Sequence, residues 1–115
     1  MEPLSVTVTT RSGHAVVRLR GEIDIATADA FRSALDSAVE HPAVSSLDLD
    51  LGRVSFIDCS GLRVLVGVRR AMEDKGGTVR LIRRSPAVER LLTAAGLDER
   101  LHVPASHVKV PVPAA

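Results

Sequence analysis

Over the first twenty residues apolar and polar side chains alternate with a period of two. Leu4, Val6 and Val8 alternate with Ser5, Thr7 and Thr9, and Ala15, Val17 and Leu19 with Val16, Arg18 and Arg20. This is strand periodicity. Arg11-Ser12-Gly13 between the two runs reads as a turn, so the pair is expected as an antiparallel hairpin. After Gly21-Glu22-Ile23-Asp24 the period becomes helical. Ala28, Phe31, Leu35 and Ala38 or Val39 supply one apolar face, Thr27 is the expected cap with Asp29 in the first turn, and His41-Pro42 is the stop.

Leu47, Leu49 and Leu51 alternate with Asp48 and Asp50, which predicts a third strand. Val54 to Ile57 extends it after a kink at Gly52, with Phe56-Ile57 as its buried end. A second helix is expected from about Ser60 to Asp74, with Leu62, Leu65, Val66 and Met72 inward and Gly76-Gly77 as its stop. Val64 and Val68 are left as candidates for an exposed apolar stripe. Thr78 to Ile82 reads as a fourth strand. Ser85-Pro86 pairs a cap with a proline at the first helical position, Val88, Leu91, Leu92 and Ala95 form the inward face, and Gly96 ends the helix. Leu101 to Val103 is expected as a short last strand, and the stretch from Pro104, with further prolines at 111 and 113, as a loose tail. The order describes an α/β single domain: a mixed four- to five-stranded sheet with an amino-terminal antiparallel hairpin and three main helices.

Two helical crossovers make the second, third and fourth strands parallel, with right-handed connections. Their carboxyl ends then share one edge, where open α/β sheets place their sites. Gly21 to Asp24, Asp58 to Gly61 and Arg83 to Ser85 are expected to meet there.

Composition narrows the function. The chain has 115 residues, enough for one domain, and 45% of them are hydrophobic but only 2% aromatic, so the core must be aliphatic. A net charge of +1 provides no strong field for nucleic acid, and no Trp or Tyr is present on which bases could stack. The single cysteine, Cys59, permits no intrachain disulfide. No apolar run approaches the roughly 18 residues that span a bilayer. Met1-Glu2-Pro3 is acidic and lacks a secretory hydrophobic region. The expectation is a soluble cytoplasmic protein with neither nucleic acid nor membrane as partner.

The chemistry concentrates at Asp58-Cys59-Ser60-Gly61, where strand meets helix. In one account Ser60 is the N-cap, its hydroxyl satisfying a free backbone N–H, Gly61 permits close approach to the sheet, and Asp58 is a turn residue. That account is complete in itself. A second adds that a hydroxyl at a helix N-terminus is well placed to carry a phosphate, whose charge the free N–H groups and the dipole favour. A thiol at a helix start gains nucleophilicity when its pKa falls, but none of His14, His41, His102 and His107 can be tied to Cys59. A phosphatase loop would need Arg six positions on, where Leu65 stands; Arg63 is at the wrong spacing. Cys59 is therefore read as a small half-buried residue that fills space. There is no Walker or G-x-G-x-x-G motif and no zinc spacing, so no cofactor or metal is expected. Asp48 and Asp50 share the solvated or helix-covered side of their strand, with no metal or acid/base role read for them.

G-E-I-D at 21–24, L-D-L at 47–49 and F-I-D-C-S-G-L at 56–62 resemble the STAS domain and, more closely, small bacterial anti-sigma factor antagonists, over residues 4 to 103. The resemblance implies a STAS domain at 1–103 followed by a tail at 104–115. It implies a regulator rather than an enzyme. The unmodified form would bind an anti-sigma factor, a serine kinase of the histidine-kinase-like ATPase fold, and so release the sigma factor. The kinase would then phosphorylate Ser60, and a metal-dependent serine phosphatase would reverse this. Asp58 would shape the site, Glu22 and Asp24 would join from the adjacent loop, and Cys59, Gly61 and Arg63 would complete the partner surface. Cys59 stands where the family usually shows Ser. Arg83 or Arg84, with the helix end, would offset the phosphate. Two alternatives stay open: a small STAS subunit of a lipid-transporting ABC complex, and an enzyme using Cys59 or Asp58 as nucleophile.

Overall fold

The structure, a computed structural model, describes residues 4–96. β1 (Ser5–Arg11) and β2 (His14–Ile23) are antiparallel, with Arg11 opposite His14. The loop is therefore Ser12-Gly13, and both residues have positive φ, 49° and 82°. That is the two-residue turn whose twist matches a hairpin. α1 (Ala28–Glu40), β3 (Ser46–Ile57), α2 (Cys59–Asp74), β4 (Thr78–Arg84) and α3 (Pro86–Ala95) follow. The sheet order is β1-β2-β3-β4, with β2–β3 and β3–β4 parallel. Consecutive right-handed crossovers in one direction leave both helices on one face, and α1 packs on α2 there. Ala15, Val17, Leu47, Leu49 and Leu81 from the sheet meet Phe31, Leu35, Leu65 and Met72 in a single aliphatic core.

The start of α3 is as expected: Ser85 Oγ accepts from Val88 N at 3.2 Å, with Pro86 first in the helix and Gly96 ending it at φ 70°. The inward face of α2 differs. It is Gly61, Val64, Leu65, Val68 and Met72, while Leu62 and Val66 are half-buried. Val64 and Val68 are core residues and form no exposed stripe.

β4 runs to Arg84 but pairs only with Ser46–Leu51 of β3. β3 continues across Gly52 without a break and pairs with β2 alone from Arg53 to Ile57. α3 packs mainly on β3. Ser85 N donates to Leu51 O at 3.1 Å, so Arg83 to Ser85 end beside Leu51, about 20 Å of strand short of Ile57. The expected meeting of three clusters is thus a meeting of two. The expected strand at Leu101–Val103 and the tail lie outside the described residues.

The other face of the sheet is polar. Its cross-strand rungs are Thr9–Val16–Asp48–Arg80 and Thr7–Arg18–Asp50–Arg83. Asp48 is neither solvated nor covered by a helix. It is fully buried, its two carboxylate oxygens each accepting from Arg80 at 2.9 Å while His14 Nε2 lies 2.9 Å from Oδ2. Pairing on this scale is what makes a buried carboxylate tolerable.

Candidate functional site

β2 and β3 end together. Ile23 is paired with Ile57, and Asp58 N donates to Ile23 O at 3.2 Å, so the two following loops leave the sheet side by side. Asp58 is extended, at φ −116° and ψ −170°, and it is the N-cap of α2. Its Oδ1 accepts from Ser60 N at 2.9 Å and its carbonyl from Leu62 N at 3.1 Å. Ser60 is therefore not the cap but the second helical residue, half-exposed, and its Oγ donates to the same Asp58 oxygen. The Ser60 hydroxyl holds the Asp58 carboxyl below the usual carboxylate range. Desolvation opposes this, and the N–H groups of Ser60 and Gly61 reinforce it.

Cys59, the first residue of α2, is exposed rather than half-buried. Gly61 is buried as expected: a methyl group on its Cα would lie 2.6 Å from Ile23 Cγ2 and 2.8 Å from Ile57 Cγ1. Arg63 is exposed on the outer side of α2.

The adjacent loop is built by Asp24. Its Oδ1 accepts from Ala26 N at 2.9 Å and Thr27 N at 3.1 Å. Thr27 occupies the cap position of α1, but its hydroxyl turns back, accepting from Asp24 N at 2.9 Å and donating to Glu22 O at 3.0 Å. The Asp24 carboxylate is committed to this turn. Glu22 is half-buried, and its carboxylate has no hydrogen bond or ion pair among the described residues.

Two residues at this edge escaped the sequence reading. Ile25 is 84% exposed and Phe56, expected to be buried, is 47% exposed. Gly21 pairs with Val54 and Glu22 with Phe56, so Ser55 is an extra residue on β3. This bulge turns Phe56 outward and Ile57 inward, and hydrophobicity along the strand carries no sign of it. Arg83 and Arg84 do not serve the junction. Arg84 donates to Glu89 at 2.9 Å, and Arg83 Nε lies 3.9 Å from Asp50. Among the described residues no cluster of three or more His, Cys, Asp or Glu could hold a metal, and no helix is long and apolar enough to cross a membrane.

A four-stranded mixed sheet with two helices on one face and a capped Asp-x-Ser-Gly helix start is the arrangement of the STAS domain. Residues 5–109 match that family, and the chain belongs to it. It is 36% identical over 85 residues to the anti-sigma F factor antagonist of Paenibacillus polymyxa, an alignment covering 74% of this chain and 73% of that one. An anti-sigma factor antagonist from Mycobacterium paratuberculosis superposes with a TM-score of 0.79 at 28% identity, covering 96% of this chain and 95% of that one. The Bacillus cell fate determinant SpoIIAA in its phosphorylated form superposes with a TM-score of 0.68 at 26% identity, covering 83% and 86%.

Proposed function

We propose that this chain is a cytoplasmic anti-sigma factor antagonist switched at Ser60. Unphosphorylated, it docks on an anti-sigma factor that is also a serine kinase, and the sigma factor is released. The kinase then transfers a phosphoryl group to Ser60 Oγ and docking is lost; a metal-dependent serine phosphatase restores the hydroxyl. The chain acts by binding and catalyses nothing. Glu22, Asp58, Cys59 and Arg63 supply the polar part of the docking edge, and Ile25 and Phe56 its apolar anchors. Asp24 and Gly61 contribute by holding the loop and the helix start in place.

The observation that carries this reading is the half-exposed Ser60 hydroxyl bonded to Asp58 at the start of α2. Asp58 accepts the hydroxyl proton and so directs an oxygen lone pair away from the protein. Phosphate adds about −1.5 to −2 charges and replaces a donor with acceptors. Against an acidic group of the docking partner, each pair of unit charges about 4 Å apart repels by roughly 4 kcal/mol at an effective dielectric of about 20. A tenfold loss of affinity takes only about 1.4 kcal/mol, so the change suffices even after solvent screening. The phosphorylated form of the Bacillus relative supports the same chemistry here.

Incubation with the cognate kinase and ATP, followed by intact mass and peptide mapping, should place one phosphate on Ser60. Ser60→Ala should bind the kinase and stay bound in ATP, whereas Ser60→Asp should bind weakly. If both variants bind as the wild type does, the switch is not at Ser60.

A further inference from the structure

On the polar face of the sheet His14 is the cross-strand partner of Ser46, and Arg80 that of Asp48. Ser46 and Asp48 stand two apart on β3, so both side chains leave the same face, about 7 Å from each other. The His14 ring spans that gap. Its Nδ1 is hydrogen-bonded to Ser46 Oγ, and its Nε2 lies 2.9 Å from Asp48 Oδ2. The Asp48 carboxylate, clamped by Arg80 through two 2.9 Å bonds, offers only acceptors, so Nε2 carries the ring proton. Nδ1 is left with a lone pair, and the Ser46 hydroxyl donates to it.

This is the arrangement of a nucleophile, its base and the carboxylate that orients the base. Asp48 is fully buried, whereas the His14 side chain is 33% exposed and Ser46 is half-buried. The anchoring end is therefore fixed inside and the hydroxyl end lies near the surface. Ser45 N and Ser46 N donate to Gly13 O at 2.8 and 3.2 Å, which pins the start of β3 against the hairpin turn. Those two N–H groups are committed and do not serve a developing oxyanion. The serine then suits acyl groups that already carry a good leaving group. The alkyl ester formed has a poor one, and it persists.

We propose that Ser46 is an acylation site that takes an acyl group from a small activated donor of the acyl phosphate class. Ser46 Oγ attacks the carbonyl carbon while His14 Nδ1 takes the hydroxyl proton. The Oγ–C bond forms, the bond from that carbon to the phosphate oxygen breaks, and phosphate leaves with its electron pair. The proton on His14 passes to solvent. The modification is stoichiometric, with no turnover. His14 and Ser46 begin β2 and β3, at the opposite end of these strands from Ser60, and the site does not depend on the switch proposed there.

The full chain is to be incubated with acetyl phosphate, and separately with p-nitrophenyl acetate, then weighed intact and mapped by peptide. One acetyl group should appear on Ser46 and none on Ser45, the exposed serine beside it. The map counts apart any acetyl group on lysine or on the exposed Cys59 thiol. His14→Gln, checked for its fold by circular dichroism, should slow labelling at Ser46 at least about a hundredfold. Ser60→Ala and Cys59→Ser should label Ser46 as the wild type does. Wild type unfolded in urea, where the three side chains are apart, should label Ser46 no faster than Ser45. No acetyl group on Ser46, equal labelling of Ser45 and Ser46 in the folded chain, or an undiminished rate in His14→Gln would overturn the proposal.

Discussion

Asp58 accepts both the backbone N–H and the hydroxyl of Ser60, so removing its carboxylate tests the geometry of the whole junction. In Asp58→Ala the α2 cap is lost, which costs about 1 kcal/mol and up to about 2. The half-exposed hydroxyl finds water instead, so its bond adds little more. For a domain of this size, 1 kcal/mol corresponds to a Tm drop of about 4 °C. Asp58→Asn keeps an acceptor at the cap and should lose only a few tenths of a kcal/mol at neutral pH. The charge gives the test a second axis. Because the folded-state pKa of Asp58 is lowered, the ionised cap contributes fully above the unfolded value of about 3.9. Its contribution is lost as pH falls through the lower folded value. Urea titrations followed by circular dichroism from pH 7 to pH 3 should therefore show wild type and Asp58→Asn separated by a constant gap above about pH 5 and converging below about pH 4. Crossing Asp58→Ala with Ser60→Ala should give a coupling energy below about 0.5 kcal/mol, since only the half-exposed hydroxyl bond links the two side chains. Asp58→Ala within about 0.3 kcal/mol of the wild type would refute the capping argument.

Gly61→Ala would force a methyl group against Ile23 and Ile57 and should destabilise by about 1 to 3 kcal/mol, read as a lower Tm. Asp48→Ala strips a buried carboxylate from Arg80 and His14 and should cost about 3 kcal/mol in a urea titration. Ile25→Ala and Phe56→Ala should each weaken kinase docking by about 1 to 2 kcal/mol by calorimetry. Both side chains are exposed, so folding stability should change by less than about 0.5 kcal/mol.

The hairpin, the two crossovers and the third helix were legible because their signals are local: period-two alternation, Ser12-Gly13, and Ser85-Pro86 with Gly96. The cap of α2 was misplaced on Ser60 because Asp and Ser are equally good N-caps two residues apart. The extended backbone at Asp58 decides between them. The inward face of α2 was misjudged because Leu62 to Val68 is apolar nearly all round, so no stripe stands out from periodicity. Here the sheet chooses, burying Val64 and Val68 and leaving Leu62 and Val66 half covered. Phe56 was misassigned because a bulge reverses the sidedness of β3 after Val54, and a bulge depends on pairing. The absence of Arg83 from the junction has the same root, since where β4 stops pairing is a matter of register. Asp48 looked like an ordinary surface acid until cross-strand pairing placed Arg80 over it.

The beginning of α2 rests so tightly on Ile23 and Ile57 that not even one extra carbon fits underneath. That end of the helix has no slack to recoil into. Whatever is fastened to Ser60 must project outward, so bulk added at one atom becomes a change in outline felt first by whatever approaches from outside.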